Sequence, residues 1–149
     1  MNFNRIEHIA ALVEDVEKHT EGLKKVLGIK TVPTLDWKIS EDLDGNPIDP
    51  YTLRVAFFKM KNIVLELMEV VEGKSFYDKF KEKVGQGIHH VCFDVEDIKG
   101  EIKKFGELGI KVTQSGKFAG SSFAYLDTEE LCGFQLEMLQ KRTRAKRKK

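Results

Sequence analysis

The chain contains an internal repeat, and this repeat strongly limits the folds that it can adopt. His8 corresponds to His90 at an offset of 82 residues. Three further segments recur in the same order in both halves, and they pair as Val13-Glu14-Asp15 with Val95-Glu96-Asp97, Leu27-Gly28-Ile29-Lys30 with Leu108-Gly109-Ile110-Lys111, and Leu65-Glu66 with Leu136-Glu137. Because such self-similarity is the signature of repeated structural units, we predict a fold built from two equivalent halves.

The two copies differ in length at one place. The offset falls from 81 at the Leu-Gly-Ile-Lys segments to 71 at the Leu-Glu pairs, so the first half holds ten extra residues. Residues 41–50 are rich in Asp, Gly and Pro, a composition that is typical of loops. We therefore predict that the extra residues form a loop before the third strand.

Each half is predicted to fold as a strand, a helix and three further strands. Asp15 can cap a helix that runs to Leu27, and Gly28 can end it in the left-handed conformation. Apolar runs predict strands near 6–13, 29–40, 51–59, 62–70, 88–95, 110–114, 122–127 and 133–140, a second helix at 97–108, and a linker helix at about 75–83. The prediction is an α+β fold, with one domain over residues 1–140 made of two βαβββ modules at about 5–70 and 86–140.

The net charge of +1 of the 149-residue chain conceals an asymmetry. The last nine residues, 141–149, hold seven basic groups, which leaves 18 basic and 24 acidic residues in 1–140. An acidic body binds polyanions poorly, so we expect no nucleic-acid partner and a disordered basic tail. No apolar run is long enough to cross a membrane, and two cysteines are too few for a disulfide framework. We therefore expect a cytoplasmic protein without a membrane partner.

Side-chain alternation predicts a cluster of imidazoles and carboxylates. Successive strand residues face opposite sides of a sheet, so four polar side chains point away from the faces that pack on the helices: His8, Glu66, His90 and Glu137. A buried carboxylate needs a partner, and imidazole with carboxylate is a good ligand set for a divalent transition metal. If the halves pair about a pseudo-two-fold axis, these side chains meet and bind one ion. His89 is expected to face the opposite side and to be structural, and Cys92 to be a small core residue.

The sequence resembles the vicinal oxygen chelate superfamily over residues 5–140. The segments that carry the resemblance are Glu7-His8-Ile9-Ala10, Leu65-Glu66-Leu67, Gly87-Ile88-His89-His90-Val91 and Leu136-Glu137-Met138. The resemblance implies an open, barrel-like mixed sheet with a metal-binding cleft, with His8, Glu66, His90 and Glu137 as the ligands of one divalent ion (Co, Ni, Zn or Mn). It also implies a homodimer.

Within this superfamily the chain looks most like the methylmalonyl-CoA epimerases. The segments that carry this likeness are residues 80–91, 123–127 and 132–137. Such an enzyme epimerises methylmalonyl-CoA by removing the proton next to the carbonyl, through a metal-stabilised enediolate. An epimerase needs a base on each face of the planar intermediate, and Glu137 and Glu66, which the repeat relates, are the candidate catalytic residues. The family places a glutamate before the third strand as one base, where this chain offers Asp42, Asp44 and Asp49, so the second base is either Glu66 or one of these aspartates.

Two other functions fit the same residues. A lyase of the glyoxalase I type acts on a glutathione adduct with two His and two Glu, which matches the set in this chain. A non-catalytic, drug-sequestering protein of the superfamily usually lacks the full metal set. The substrate is thus expected to be a small molecule, either an acyl-CoA or a glutathione adduct. Arg54, Lys59 and Lys117 are candidates for contacts with coenzyme A phosphates.

Overall fold

Eight strands form one mixed sheet that curls into a nearly closed barrel. The computed structural model describes residue 3 and residues 5–142, so the predicted tail lies outside the described residues from position 143 onward. The strands are β1 (Arg5–Leu12), β2 (Thr34–Glu41), β3 (Pro47–Lys59), β4 (Val64–Glu72), β5 (Gly87–Asp94), β6 (Val112–Phe118), β7 (Ser121–Leu126) and β8 (Gln135–Gln140). The helices of the described residues are α1 (Val16–Leu27), α2 (Asp78–Val84), α3 (Ile98–Glu107) and α4 (Glu129–Cys132). The predicted α+β class is confirmed.

The strand order shows the two halves side by side. It is β2-β3-β4-β1-β5-β8-β7-β6, so β1 and β5 meet at the centre and pair antiparallel. Strand β1 pairs parallel with β4 and strand β5 pairs parallel with β8, while all the other pairs are antiparallel. The first strands of the two βαβββ units therefore lie next to each other, related by a pseudo-two-fold axis between them.

The two longer helices begin at equivalent aspartates. The Asp15 side chain accepts a hydrogen bond from Lys18 N at 2.9 Å, and Asp97 accepts one from Gly100 N at 3.0 Å. Such caps satisfy backbone donors that the first turn of a helix leaves free. Gly28 ends α1 with φ of +67°, a conformation that favours glycine. The predicted start and end of the first helix are confirmed.

Apolar packing is divided between the barrel interior and the two helix-covered faces. One cluster under α1 includes Val16 and Phe58, and another under α3 includes Ile98 and Phe105. The third cluster fills the barrel interior and includes Leu12, Tyr51 and Met68. The site described below lies on this interior face.

The prediction of a loop over residues 41–50 is wrong in part. Residues 47–50 belong to β3, where Pro47 pairs with Glu41, and only residues 42–46 form the turn. Pro47 is tolerated because it is the first residue of its strand. The insertion therefore lengthens a hairpin, and it ties the halves together because Leu43 is buried in the cluster under α3 and Leu43 N donates to Ser115 Oγ at 3.2 Å.

Other element bounds also differ from the predictions. Strand β2 starts at Thr34 rather than near residue 29, β6 extends to Phe118, and the helix α4 was not predicted. None of these differences changes the number of strands or the order of the predicted elements along the chain. Among the described residues, no helix combines the length and the apolar character needed to cross a membrane.

Candidate metal centre

The structure brings the four predicted ligand residues together at the middle of the barrel interior. His8 lies on β1, His90 on β5, Glu66 on β4 and Glu137 on β8, and all four are buried. Their meeting follows from strand register, because Ala10 pairs with Glu66 across β1 and β4. The equivalent pair in the second half joins β5 to β8.

That equivalent pair is Cys92 with Glu137. His8 and His90 each precede these paired positions by two residues, so by alternation they share a face with the carboxylates. Since β1 and β5 are neighbours, the two imidazoles also face each other. The pseudo-two-fold relation thus holds at the level of individual residues.

The four side chains are in direct contact. His8 Nε2 lies 2.9 Å from Glu66 Oε2, 3.2 Å from Glu137 Oε2 and 3.0 Å from His90 Nε2. His90 Nε2 lies 3.0 Å from Glu137 Oε2 and 3.9 Å from Glu66 Oε2. Two nitrogens and two oxygens therefore converge on one point.

This arrangement fits a divalent transition metal. Bonds of about 2.1 Å at right angles put neighbouring ligand atoms about 3.0 Å apart, close to four of the five measured separations. Glu137 Oε2 is buried and accepts no hydrogen bond, although two imidazole nitrogens are within 3.2 Å. Ligand atoms lie within 4.8 Å of one another in two triads that share His8: His8, Glu66 and His90, and His8, Cys92 and Glu137. The donor set, two imidazoles and two carboxylates, is also the right chemistry.

The carboxylates control the charge of the site. Burial by itself would lower the pKa of His8, but the adjacent Glu66 and Glu137 outweigh it and raise that pKa to about 10. Burial likewise raises the pKa of Glu137, whereas the charge of His90 and the contacts with both imidazoles lower it more, so the net pKa lies below the usual range. In the metal-free protein an imidazolium at His8 therefore balances buried carboxylate charge.

A β-bulge precedes each of the two histidines. The register of β1 against β5 shifts between Ile6 and His8, which leaves Glu7 as an extra residue, and it shifts again between Ala10 and Ala11, which leaves His89 as an extra residue. Bulges break strict alternation and redirect side chains. They occur at equivalent positions of the repeat, 82 residues apart.

The bulge makes the predicted orientation of His89 wrong. His89 does not face away from His90, because its Nδ1 lies 3.0 Å from His90 Nδ1 and both rings are buried. Aromatic rings surround it, with centroids 4.9 to 5.7 Å away, and they belong to Phe76, Tyr77, Phe80 and Tyr125. Burial in this cage, with the charge of His90, lowers the pKa of His89 to about 3, so its ring is neutral near neutral pH.

Two tyrosines next to the site were not predicted from the sequence. The hydroxyls of Tyr77 and Tyr125 are 2.9 Å apart, and the Tyr125 ring lies 5.0 Å from that of His90. Burial raises the pKa of both phenols, so they stay protonated. Alternation from Phe123 could have placed Tyr125 in the interior, but Tyr77 precedes a short helix and gave no signal.

Cys92 is a core residue, as predicted, but it also contacts the site. Its thiol is fully buried next to the Glu137 carboxylate, and burial, followed by the charge of that carboxylate, raises the pKa of Cys92 well above the ordinary value. The equivalent residue of the first half is Ala10. The thiol is therefore a neutral donor that only the second half provides.

A cavity of about 360 Å³ is lined by three of the four side chains, His8, Glu66 and Glu137, whereas His90 is fully buried behind it. Its walls are mostly apolar, and Trp37 of β2 stacks on Phe118 of β6 at 4.4 Å, which closes the gap between the two edge strands. Apart from those three residues and the two tyrosines, the polar lining consists of Glu7, Lys59, Ser121, Lys141 and Arg142. The cavity can therefore hold a small, largely apolar group against the metal site, with cations along its lining.

Only one of the three basic residues suggested for phosphate contacts reaches this cavity. Lys59 lines it. Arg54 instead pairs with Asp36 at 2.8 Å, and Lys117 lies 4.0 Å from Glu41, and neither is a lining residue.

The aspartates of residues 41–50 also lie outside the cavity lining. Asp42 accepts hydrogen bonds from Asp44 N and Asn46 N at 2.8 Å each, which stabilise the turn. Asp44 pairs with Lys99 at 2.6 Å, and Asp49 lines a separate, smaller cavity. The carboxylates that line the cavity at the metal centre are those of Glu7, Glu66 and Glu137.

Comparisons with known proteins agree with this geometry. An Ethylmalonyl-CoA/methylmalonyl-CoA epimerase of Cereibacter sphaeroides is 26% identical over 143 residues, which cover 91% of this chain and 97% of that protein. A mitochondrial methylmalonyl-CoA epimerase of Bos taurus is 27% identical over 93% of this chain and 75% of its own length.

Solved structures show the same fold. A methylmalonyl-CoA epimerase of Mycobacterium tuberculosis superposes with a TM-score of 0.68 at 16% identity, covering 95% of this chain and 90% of that chain. A methylmalonyl-CoA epimerase in complex with methylmalonyl-CoA and NH4+ gives a TM-score of 0.68 at 19% identity, covering 93% and 95%. A family model described as Glyoxalase/Bleomycin resistance protein/Dioxygenase superfamily matches residues 7–125. The chain therefore belongs to the glyoxalase/bleomycin resistance/dioxygenase superfamily, the vicinal oxygen chelate superfamily that its sequence resembles.

Proposed function

We propose that this protein is a metal-dependent, epimerase-like enzyme that removes the proton α to the carbonyl of an acyl-CoA thioester, with methylmalonyl-CoA as its substrate. The observation that carries the proposal is the convergence of Glu66 and Glu137, from equivalent strands of the two halves, on one apolar cavity. The similar proteins support the proposal, since several of them are methylmalonyl-CoA epimerases.

The pseudo-two-fold axis supplies what epimerisation needs. Loss of the α proton leaves a planar centre, and inversion requires that the proton return from the opposite face. Glu66 and Glu137 come from opposite halves, so one can accept the proton while the other, protonated, delivers one. General base catalysis of this kind is typically worth ~10²–10⁴-fold in rate. Each carboxylate has two oxygens, so one can face the imidazoles while the other faces the substrate.

The chemistry of a bound ion would complement these bases. His8, His90, Glu66 and Glu137 would hold it, and a divalent ion in this position acts as a Lewis acid toward negative charge on a carbonyl oxygen. The tyrosine pair and the apolar walls make the same region less polar than bulk water, and electrostatic interactions are stronger in such surroundings.

The second base is assigned to Glu66 rather than to an aspartate. None of Asp42, Asp44 and Asp49 lines the cavity at the metal centre, whereas Glu66 does. This assignment also follows the symmetry of the site, because Glu66 and Glu137 pair with the equivalent residues Ala10 and Cys92.

Cations on the cavity lining support an acyl-CoA substrate. Lys59, Lys141 and Arg142 line the cavity, and Lys141 Nζ lies 2.5 Å from Glu7 Oε1. Lys and Arg are the residues that bind phosphate groups. A small acyl group would occupy the apolar interior while the phosphates of coenzyme A remain outside. The homodimer and the cytoplasmic location stay predictions.

Deuterium exchange tests the proposal against its alternatives. The protein loaded with Co²⁺ is incubated in deuterated water with methylmalonyl-CoA or with the methylglyoxal–glutathione adduct. We expect exchange of the α proton and conversion of epimers with methylmalonyl-CoA alone. Turnover of the glutathione adduct alone would instead establish the lyase, which the two-His, two-Glu set also suits, and binding without exchange in either case would establish a non-catalytic binding protein.

A further inference from the structure

His89 is a buried titratable residue that the proposed reaction does not use. It is 5% exposed, it is the extra residue of a β-bulge, and its ring nitrogen Nδ1 lies 3.0 Å from Nδ1 of His90. Without the bulge, strand alternation would turn it to the other face of the sheet. The backbone irregularity therefore places one imidazole directly behind another.

We propose that His89 is a positioning residue that fixes the tautomer and the ring orientation of His90 as a metal ligand. This inference rests on the proposed metal centre but not on the identity of the substrate. His90 presents Nε2 to the cluster of donor atoms, 3.0 Å from both His8 Nε2 and Glu137 Oε2. A metal ligand needs a lone pair at that nitrogen, so the single proton of the neutral His90 ring must reside on Nδ1.

That proton needs an acceptor, and His89 supplies it. The Nδ1–H of His90 donates to His89 Nδ1, which requires that His89 carry its own proton on Nε2. The opposite tautomer of His90 would put its proton on Nε2, among the other ligand atoms, and would abolish metal binding at this nitrogen. The outer partners of ligating histidines usually act in this way, and their loss typically costs 10- to 100-fold in metal affinity.

The surroundings of His89 hold this acceptor in place. The rings of Phe76 and Phe80 meet the His89 ring at interplanar angles of 80° and 77°, with centroids 5.7 and 4.9 Å away. Both phenylalanines come from the segment that links the two halves, at and just before α2. This segment therefore has a second role, because it fixes a histidine that acts on the site without touching the substrate.

The equivalent residue of the first half shows that the bulge alone does not create this contact. Glu7 is the extra residue before His8, but it lines the cavity at the metal centre and pairs with Arg5 at 3.0 Å and with Lys141 at 2.5 Å. Only the second half puts an imidazole behind its ligand. The positioning function is thus expected for His90 and not for His8.

Metal titration of His89 variants tests the inference. His89→Leu and His89→Asn have nearly the same shape, but only Asn carries an acceptor oxygen close to the position of Nδ1. Affinity for Co²⁺ is measured by competition with a chromophoric chelator, and the visible spectrum of the Co²⁺ protein is recorded. We expect His89→Leu to bind Co²⁺ 10- to 100-fold more weakly, with altered bands, and His89→Asn to recover most of this loss.

Two controls separate positioning from packing. Phe80→Leu disturbs the cage but keeps the acceptor, so it should bind Co²⁺ within a few-fold of the parent protein. Thermal unfolding of the metal-free variants reports whether each of them folds. Equal loss of affinity in the Leu, Asn and Phe80 variants, or no loss in His89→Leu, would overturn the inference. If the parent protein binds no Co²⁺, the metal centre itself is refuted, which is a different result.

Discussion

The two halves of the barrel contribute the same ligand types to the site but surround them differently. In the first half, Glu7 precedes His8 and lines the open cavity, and the residue opposite Glu66 is Ala10. In the second half, residues with other chemistry stand at these equivalent positions: His89, enclosed in an aromatic cage, and Cys92, buried against Glu137.

This comparison shows which structural features the two halves share and at which positions their residues differ. The repeat preserves the positions whose geometry the pseudo-two-fold axis determines, which are the paired strands, the bulges and the four donors. The residues directly behind the donors differ, so the two carboxylates and the two imidazoles lie in unequal environments. An enzyme with one base on each face of its substrate does not need identical bases.

The largest effect is expected from replacing the carboxylates themselves. Glu137→Gln keeps a side chain of the same size but removes a base, so conversion of methylmalonyl-CoA epimers should fall by ~10²–10⁴-fold. Glu66→Gln should cause a loss of similar size. The two variants should still exchange the α proton of one epimer with deuterated water, and the retained epimer should differ between them.

Glu129→Gln is the control for both variants. Glu129 is exposed and pairs with Lys83 at 2.9 Å on the outside of the barrel, so conversion should be unchanged. Normal turnover by Glu137→Gln would show that this carboxylate is not a base. If both variants exchanged the α proton of the same epimer, the assignment of one base to each face of the substrate would be contradicted.

A smaller effect is expected from pH on the free energy of unfolding of the metal-free protein. A histidine of the first half should lower this free energy at alkaline pH, and a histidine of the second half should lower it at acid pH. The native pKa of His8 is about 10, because Glu66 and Glu137 outweigh the effect of burial, against an ordinary value of 6.5. Between pH 6.5 and about 10 the native state therefore binds more protons than the unfolded state. The free energy of unfolding falls as pH rises through this interval. One pKa unit corresponds to about 1.4 kcal/mol, so the loss should exceed about 1 kcal/mol.

His89 should act on the acid side. Burial and the charge of His90 lower its pKa to about 3. The unfolded state then binds more protons below pH 6.5, and the free energy of unfolding falls as pH drops towards 3. Urea unfolding at several pH values measures both slopes. His8→Gln should remove the alkaline slope and His19→Gln, on α1 away from the site, should keep it, whereas an alkaline slope that survives in His8→Gln would contradict the assignment.

The smallest effect is expected from making the second half resemble the first. Cys92→Ala copies Ala10 and removes the buried thiol next to Glu137. The free energy of unfolding should fall by about 1 kcal/mol, as expected for the loss of one small buried group, and epimerisation should stay within a few-fold of the parent rate. Cys132→Ala, at an exposed position, is the matched control and should shift the urea midpoint little. A loss of activity as large as that of Glu137→Gln would show that the thiol takes part in the reaction.

Most of the fold and the candidate ligands could be predicted because they depend on local rules and on repetition. Strand alternation places His8 and Glu66 on one side of their strands, and the repeat places His90 and Glu137 likewise. The position of His89 could not be predicted, because a bulge is a property of the register between two strands. Residues 41–50 were assigned to a loop by composition, although pairing with β2 makes residues 47–50 part of a strand.

The two-fold architecture and the types of ligand follow from the sequence alone, because its periodicity and its internal repeat can be recognised without the structure. Tertiary structure alone decided which neighbours these ligands have. Tyr77, Tyr125 and the cage around His89 come together from the linker and from β7, and such contacts depend on packing between segments far apart in the chain. Long-range packing therefore decides how the two halves differ, whereas local pattern decides what they share.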